Sequence, residues 1–178
     1  MPLFKVITHQ EPNISSVTGE RRYHDENAIR DVVAYCLQPK KIPRQLVGAY
    51  AVNINQAAYE MERLARAYGK DHGLRLRHMV LSFSPKEIKR FHNHTYETLK
   101  LIGDYAARYY GGQYQIIYAV HEDTDEPHVH FVMNTVNYLS GKKYAGKKED
   151  YYAFCKYLGD FLYQYYGLVL IPVSDNSD

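Results

Sequence analysis

Apolar residues recur along this chain with two spacings, one typical of strands and the other of helices. Alternating or short continuous apolar runs predict five strands, over residues 3–8, 76–84, 115–120, 129–136 and 168–173. Stripes with three- and four-residue spacing predict four helices, over about residues 29–37, 57–68, 95–110 and 151–165. The element order β-α-α-β-α-β-β-α-β predicts an α+β fold, with a central antiparallel or mixed sheet and helices packed on one side and at the edges.

Length and composition are those of an ordinary globular domain. The 178 residues suffice for one domain, which we expect over residues 1–173, with the polar residues 174–178 beginning a linker to further domains. Cys36 and Cys155 form no paired motif, which suits a reducing cytoplasm, and we expect neither a signal peptide nor a membrane span. The net charge of +2 is small for a dedicated nucleic-acid binder, so such binding would need local basic patches.

Three histidines lie within ten residues, around a segment rich in turn formers. His128 and His130 are two residues apart and share one face of a strand, and a hairpin would fold His121 back beside them. Three converging neutral imidazoles favour a divalent-metal site with positions left open for substrate. Asp123 and Asp125 in the turn either orient a ligand through its outer N–H or serve only as turn residues.

Strand alternation places several other polar residues on the same face of the sheet as the histidines. His78 and Ser82 share parity in one strand, and Asn134 shares parity with His128 in the other. Ser82 and Ser84 could donate hydrogen bonds to a DNA phosphate, and Asn134 is a further DNA-binding candidate. A sheet face with this many polar groups indicates a functional site.

Basic residues cluster at four places in the chain, and two of these clusters are our candidates for contacting a DNA backbone. The first follows the first helix and comprises Lys40, Lys41 and Arg44. The second lies in a glycine-containing loop after the histidine strand and comprises Lys142, Lys143, Lys147 and Lys148. Because it follows the metal-binding strand in sequence, the second cluster is the better candidate for gripping the DNA backbone.

Three segments resemble motifs of relaxases, the DNA-nicking mobilisation nucleases of the HUH endonuclease superfamily. The most similar group is the MOBP type of mobilisable plasmids and integrative elements. One segment resembles the third motif of this group and reads His121-x-Asp123-x-x-x-Pro127-His128-x-His130-Phe-Val-Met-Asn134. Another resembles the second motif and reads His78-Met-Val-Leu-Ser82-Phe-Ser84-Pro85. Tyr35, in the first helix, sits where the family carries its nucleophilic tyrosine. One position departs from the pattern, because Glu126 stands where relatives often have Asn.

The resemblance implies an RRM-like sheet and a specific reaction. Tyr35 would attack single-stranded DNA at an origin of transfer, giving a 5′-phosphotyrosyl link and a free 3′-hydroxyl, which initiates conjugative transfer or mobilisation. Tyr35 lies about 120° from the centre of the apolar stripe on its helix, so the main core does not need it. Its catalytic partner would be Asp123, although the sequence does not decide which group takes the phenol proton.

The cofactor implied by the resemblance is Mn²⁺ or Mg²⁺. Imidazole ligands by themselves favour Mn²⁺, Co²⁺, Ni²⁺, Cu²⁺ or Zn²⁺ over Mg²⁺, so Zn²⁺, Ni²⁺ and Co²⁺ are alternatives. The partners implied are single-stranded or origin-of-transfer DNA, an accessory DNA-binding protein and a coupling protein. We expect the chain itself to be a monomer.

Two other functions fit parts of the pattern. A replication initiator or transposase of the same superfamily would use a tyrosine after the histidine pair, and Tyr152 is the candidate. A non-enzymatic nucleic-acid-binding module would instead use the histidines to hold a structural metal, in which case folding would depend on the metal.

Overall fold

The computed structural model describes residues 1–7, 23–92 and 94–173. Six strands form one mixed sheet in the order β2-β4-β5-β3-β1-β6. Their bounds are Leu3–Ile7 (β1), Val47–Tyr50 (β2), Leu76–Ser82 (β3), Tyr114–His121 (β4), His128–Asn137 (β5) and Ile171–Val173 (β6). All neighbours pair antiparallel except β1 and β6, which are parallel. The predicted α+β class with a mixed sheet is confirmed.

Five α-helices surround the sheet. They are Ala28–Cys36 (α1), Ala57–Ala67 (α2), Pro85–Ile88 (α3), Thr95–Gly111 (α4) and Lys148–Tyr166 (α5). The four long helices are those predicted, and Gly167 ends α5 in the left-handed conformation that glycine adopts without strain. Within the described residues, no helix is sufficiently long and apolar to cross a bilayer.

Two features of the chain were not predicted. The four-residue strand β2 pairs with β4 at one edge of the sheet, and the one-turn helix α3 begins directly after Ser84. The strand predicted over residues 76–84 therefore ends at Ser82, and the last strand begins three residues later than predicted. Thr8 and the predicted tail, residues 174–178, lie outside the described residues.

The two faces of the sheet carry separate hydrophobic cores. Helices α4 and α5 cover one face, where the large buried side chains include Phe4, Tyr118, Phe131 and Phe154. Helices α1 and α2 pack on the other face against Leu76, Ile117 and Val132. Helices thus lie on both faces of the sheet. The histidines lie on the face of α1 and α2, where His121 contacts the carbonyl of Cys36 at the end of α1.

Candidate active site

The β4–β5 hairpin brings three imidazoles together at its tip. His121 pairs directly with His128, and His130 lies two residues further along β5, on the same face. The ring centroids are 4.2 Å apart for His121 and His130, 4.9 Å for His128 and His130, and 5.3 Å for His121 and His128. One nitrogen from each ring lies within 4.8 Å of the others, so a single cation could reach all three.

Each of these imidazoles has one nitrogen bound to a group outside the cluster. Nε2 of His121 lies 2.9 Å from the carbonyl oxygen of Cys36, and Nδ1 of His128 lies 2.9 Å from that of Glu126. Nδ1 of His130 lies 2.7 Å from a nitrogen of His78. These contacts fix ring orientation and tautomer, as outer partners do around metal-binding histidines. Glu126 contributes only its backbone carbonyl, so its departure from the family pattern does not change this contact.

The other nitrogens point into the space between the rings. Nδ1 of His121 and Nε2 of His130 are buried and have no hydrogen-bond partner among the residues that the structure describes. A buried nitrogen without a partner is costly unless a ligand satisfies it. The three rings therefore fit a divalent cation bound through the inner nitrogens, with a preference for the borderline transition metals.

Burial favours the neutral form of His121 and His130. Burial lowers the pKa of His121 to about 4; the hydrogen bond to the Cys36 carbonyl opposes this effect, and the neighbouring His128 adds a smaller lowering contribution. Burial also lowers the pKa of His130 well below its ordinary value, and the neighbouring imidazoles add to this effect. Neutral imidazole is the form that binds metals, so the site is ready for a cation at neutral pH.

His78 lies behind the cluster and extends it into the core. It is 3% exposed, and its Nδ1 lies 3.0 Å from the hydroxyl of Tyr23. If His130 binds a cation through Nε2, its Nδ1 carries the proton and donates it to Nε2 of His78. Strand parity had placed His78 on this face without assigning it a role, and the structure places it as the outer partner of His130.

Tyr35 lies in the last turn of α1, beside the imidazoles. Its ring centroid is 5.6 Å from that of His130 and 5.8 Å from that of His121. The side chain is 37% exposed, whereas the residues that α1 turns towards the sheet are buried. The phenol is therefore accessible to a substrate and adjacent to the cluster at the same time.

Asp123 does not hold the outer nitrogen of a metal-binding histidine, which corrects one of its predicted roles. That nitrogen of His121 is bound to the Cys36 carbonyl, and the Asp123 carboxylate lies 3.9 Å from the inner nitrogen instead. Its close partner is Lys41, whose Nζ lies 2.6 Å away. Although burial raises the pKa of Asp123, the ion pair with Lys41 keeps it below its ordinary value. Asp125 is exposed in the same turn.

A groove of about 630 Å³ opens beside the imidazoles, on the same face of the sheet. Its walls come from β1, β3, β6 and the hairpin turn. Ser82 lines the groove together with Tyr35 and Lys5, so its predicted contact with DNA stays a prediction that this position allows.

Two other predicted DNA contacts have structural roles instead. Ser84 begins α3 with a capping box, in which its backbone N–H donates to Glu87 at 2.7 Å. Asn134 is 0% exposed, and its amide donates to the carbonyl of Met61 at 3.1 Å and to Gln115 at 3.0 Å. Helix α2 covers this end of the sheet face, so Asn134 cannot contact DNA there.

The lysine-rich loop lies at the far end of the hairpin from the imidazoles. Lys143 pairs with Val136, six residues beyond His130, which corresponds to roughly 20 Å along the strand. The Nζ of Lys143 donates to the backbone carbonyls of His72 and Leu74, so it serves the fold. The other three lysines of the loop, Lys142, Lys147 and Lys148, are exposed. The structure therefore does not bring this loop to the imidazoles.

The first basic cluster lies next to the imidazoles. Arg44 pairs with Glu122 and stacks over the ring of Tyr96, with 4.1 Å between its guanidinium carbon and the ring centroid. Lys40 is exposed, whereas the Lys41 side chain is only 15% exposed. The Nζ of Lys41 stands 4.6 Å from the centroid of the Tyr35 ring. This arrangement of Lys41 has no local signal in the sequence, because Lys41 and Asp123 are 82 residues apart.

Tyr152 lies away from this constellation. Helix α5 packs in the core with Phe131, on the face of the sheet opposite to His130. Tyr152 is 52% exposed on that helix and contacts the ring of Tyr151 edge to face. The sheet therefore separates Tyr152 from the imidazoles, which disfavours the initiator or transposase alternative.

Comparison with known proteins gives the class of this fold and site. The family described as Relaxase: MobA/VirD2-like, nuclease domain, matches residues 35–168, a range that begins at the tyrosine and contains all three hairpin histidines. The chain belongs to this relaxase family. The match covers the nuclease domain of that family.

Two curated relatives, both named Protein rlx and both from Staphylococcus aureus, are similar to part of the chain. One is 29% identical and the other 28% identical, each over 98 residues. The matched part covers 55% of this chain and 29% of each relative. No solved structure was found to match the chain.

Proposed function

We propose that this domain nicks single-stranded DNA at an origin of transfer, with Tyr35 as the nucleophile. Family membership supports a relaxase that acts on DNA, and the proposal adds the residues and the chemistry. The observation that carries it is the Tyr35 ring within 6 Å of two buried imidazoles whose inner nitrogens lack partners among the described residues. In the whole protein, this reaction would initiate mobilisation together with an accessory DNA-binding protein and a coupling protein.

His121, His128 and His130 would hold a divalent cation through their inner nitrogens, and the bound cation would stabilise the negative charge that develops on the scissile phosphate. The chain contributes the geometry that this requires. Hydrogen bonds to backbone carbonyls orient two of the rings, and His78 orients the third. Burial favours the neutral, metal-binding form of His121 and His130.

The reaction exchanges one phosphodiester for another. The Tyr35 oxygen forms a bond to phosphorus, the bond from phosphorus to the 3′ oxygen breaks, and that oxygen leaves as a hydroxyl after taking up a proton. A phenol has an ordinary pKa near 10, so it must lose its proton during the attack. The product carries a 5′-phosphotyrosyl link. Because the bonds formed and broken are similar, the step is reversible, as rejoining of a transferred strand requires.

The groove beside Tyr35 supplies a path for the DNA strand. Ser82 can donate a hydrogen bond to a phosphate there, and Lys5 can contribute a positive charge. The path runs over β3 and β1, whose residues line the groove. A single strand fits this open groove because the phosphate must come close to the phenol, which a stacked duplex would prevent.

Covalent capture tests this proposal. The domain is incubated with a set of short single-stranded oligonucleotides and Mn²⁺, and protein–DNA adducts that resist denaturation are resolved on a gel. We expect an adduct with the wild type and with Tyr152→Phe, and none with Tyr35→Phe. An adduct that persists in Tyr35→Phe and disappears in Tyr152→Phe would overturn the assignment and favour the initiator alternative.

A further inference from the structure

We propose that Lys41 is a positioning residue for the Tyr35 nucleophile and that Asp123 acts by holding Lys41 in place. This inference rests on the proposed function, because it concerns the same attack. Three groups form a row at the mouth of the site. The Asp123 carboxylate lies 2.6 Å from the Lys41 ammonium, and the ammonium stands over the Tyr35 ring, 4.6 Å from its centroid.

Lys41 is held more firmly than a surface lysine. Its side chain is 15% exposed, and its carbonyl accepts a hydrogen bond of 2.9 Å from the backbone N–H of Glu122. The following residue, Ile42, is buried, and Arg44 pairs with Glu122. The segment that carries Lys41 is therefore fixed to the end of β4. The ammonium group consequently samples fewer positions than that of an exposed lysine.

A fixed ammonium at this place affects the attack in two ways. The attraction between a cation and an aromatic face keeps the Tyr35 ring oriented beside the imidazoles. The same charge favours the negative charge that the phenol oxygen acquires as its proton leaves. By microscopic reversibility, Lys41 assists the reverse step equally, since the phenolate is then the leaving group.

The competing explanation for Lys41 is a simple contact with a DNA phosphate. If Lys41 had that role, its replacement would lower the affinity for DNA and the salt dependence of binding, because binding with one phosphate contact fewer releases fewer counterions. A positioning role would instead leave affinity nearly unchanged and slow both directions of the reaction. The ion pair with Asp123 and the low exposure of the Lys41 side chain favour positioning, because both restrict the access of a DNA phosphate to the ammonium.

The decisive experiment compares Lys41→Met with Lys156→Met. Lys156 is the matched control, because it also forms a 2.6 Å ion pair with an aspartate, but on the exposed surface of α5. Single-turnover rates of adduct formation and of its reversal are measured with an oligonucleotide that the wild type cleaves. Binding is measured separately with an uncleavable analogue at two salt concentrations.

We expect Lys41→Met to slow both rates by roughly 10- to 200-fold, the range given by one charge about 5 Å away in a partly screened site. The fraction of adduct at equilibrium and the affinity for the uncleavable analogue should stay within about threefold of the wild type, and Lys156→Met should change nothing. Unchanged rates in Lys41→Met, or a loss confined to affinity and its salt slope, would overturn the proposal.

A double-mutant cycle tests the role of Asp123. If Asp123 acts through Lys41, Asp123→Asn slows adduct formation in the wild type but has no further effect in Lys41→Met. Equal losses in both backgrounds would show that Asp123 acts independently. These outcomes differ from failure of the proposed function, in which the wild type itself would form no Tyr35 adduct.

Discussion

His78 offers a sharp test of how the imidazole cluster is organised. Phenylalanine in its place preserves an aromatic ring of similar shape but removes the acceptor for Nδ1 of His130, now 2.7 Å away. The His130 ring is 4% exposed, so water cannot replace that acceptor without rearrangement. Loss of an outer partner of a metal-binding histidine typically weakens metal affinity by about 10- to 100-fold, or roughly 1.4–2.7 kcal/mol.

Calorimetric titration with Co²⁺ measures this effect without relying on activity. We expect His78→Phe to lose affinity within that range, and Tyr23→Phe to lose less, because His78 itself remains. The exposed His72 provides the control, and its replacement by alanine should leave Co²⁺ binding unchanged. Urea unfolding of each variant separates a loss of fold from a loss of affinity. A folded His78→Phe protein that binds Co²⁺ as tightly as the wild type would refute the outer-partner role.

Three further predictions follow from the buried polar groups. Asn134→Leu should lower the free energy of unfolding in urea by about 2–4 kcal/mol, because the Met61 carbonyl loses its donor in the core; a loss below about 0.5 kcal/mol would contradict this. In chelator, burial of neutral His121 should cost roughly 2 kcal/mol of stability between pH 7 and pH 5. The reason is that its folded pKa, about 4, lies below its unfolded value near 6.5, so the unfolded chain takes up the proton first. His121→Gln should remove that part of the pH dependence, and an unchanged slope would count against it. The chelated domain should still melt cooperatively, because two hydrophobic cores hold the fold; collapse on chelation would favour a structural metal.

The long elements could be predicted because each carries its own periodicity. The four long helices show apolar stripes, and β3, β4 and β5 show alternation or continuous apolar runs. Strand β2 has only four half-buried residues and exists because β4 offers an unpaired edge. No local pattern marks such a strand.

Parity and sequence order predicted the site only in part. Parity placed Asn134 on the face of His128, but it could not tell that α2 covers that end of the face. Sequence order placed the lysine loop just after the histidine strand, but a ten-residue strand carries the chain away from the site before the loop begins. The contacts of Cys36 with His121 and of Lys41 with Asp123 span more than 80 residues and required the fold.

The most direct test of the account is to locate the covalent bond. The adduct formed with a cleaved oligonucleotide is digested with protease and nuclease, and the modified peptide is sequenced by mass spectrometry. We predict a nucleotide attached through its 5′ phosphate to Tyr35. A nucleotide on Tyr152 or on any other residue, or attachment through a 3′ phosphate, would contradict the account.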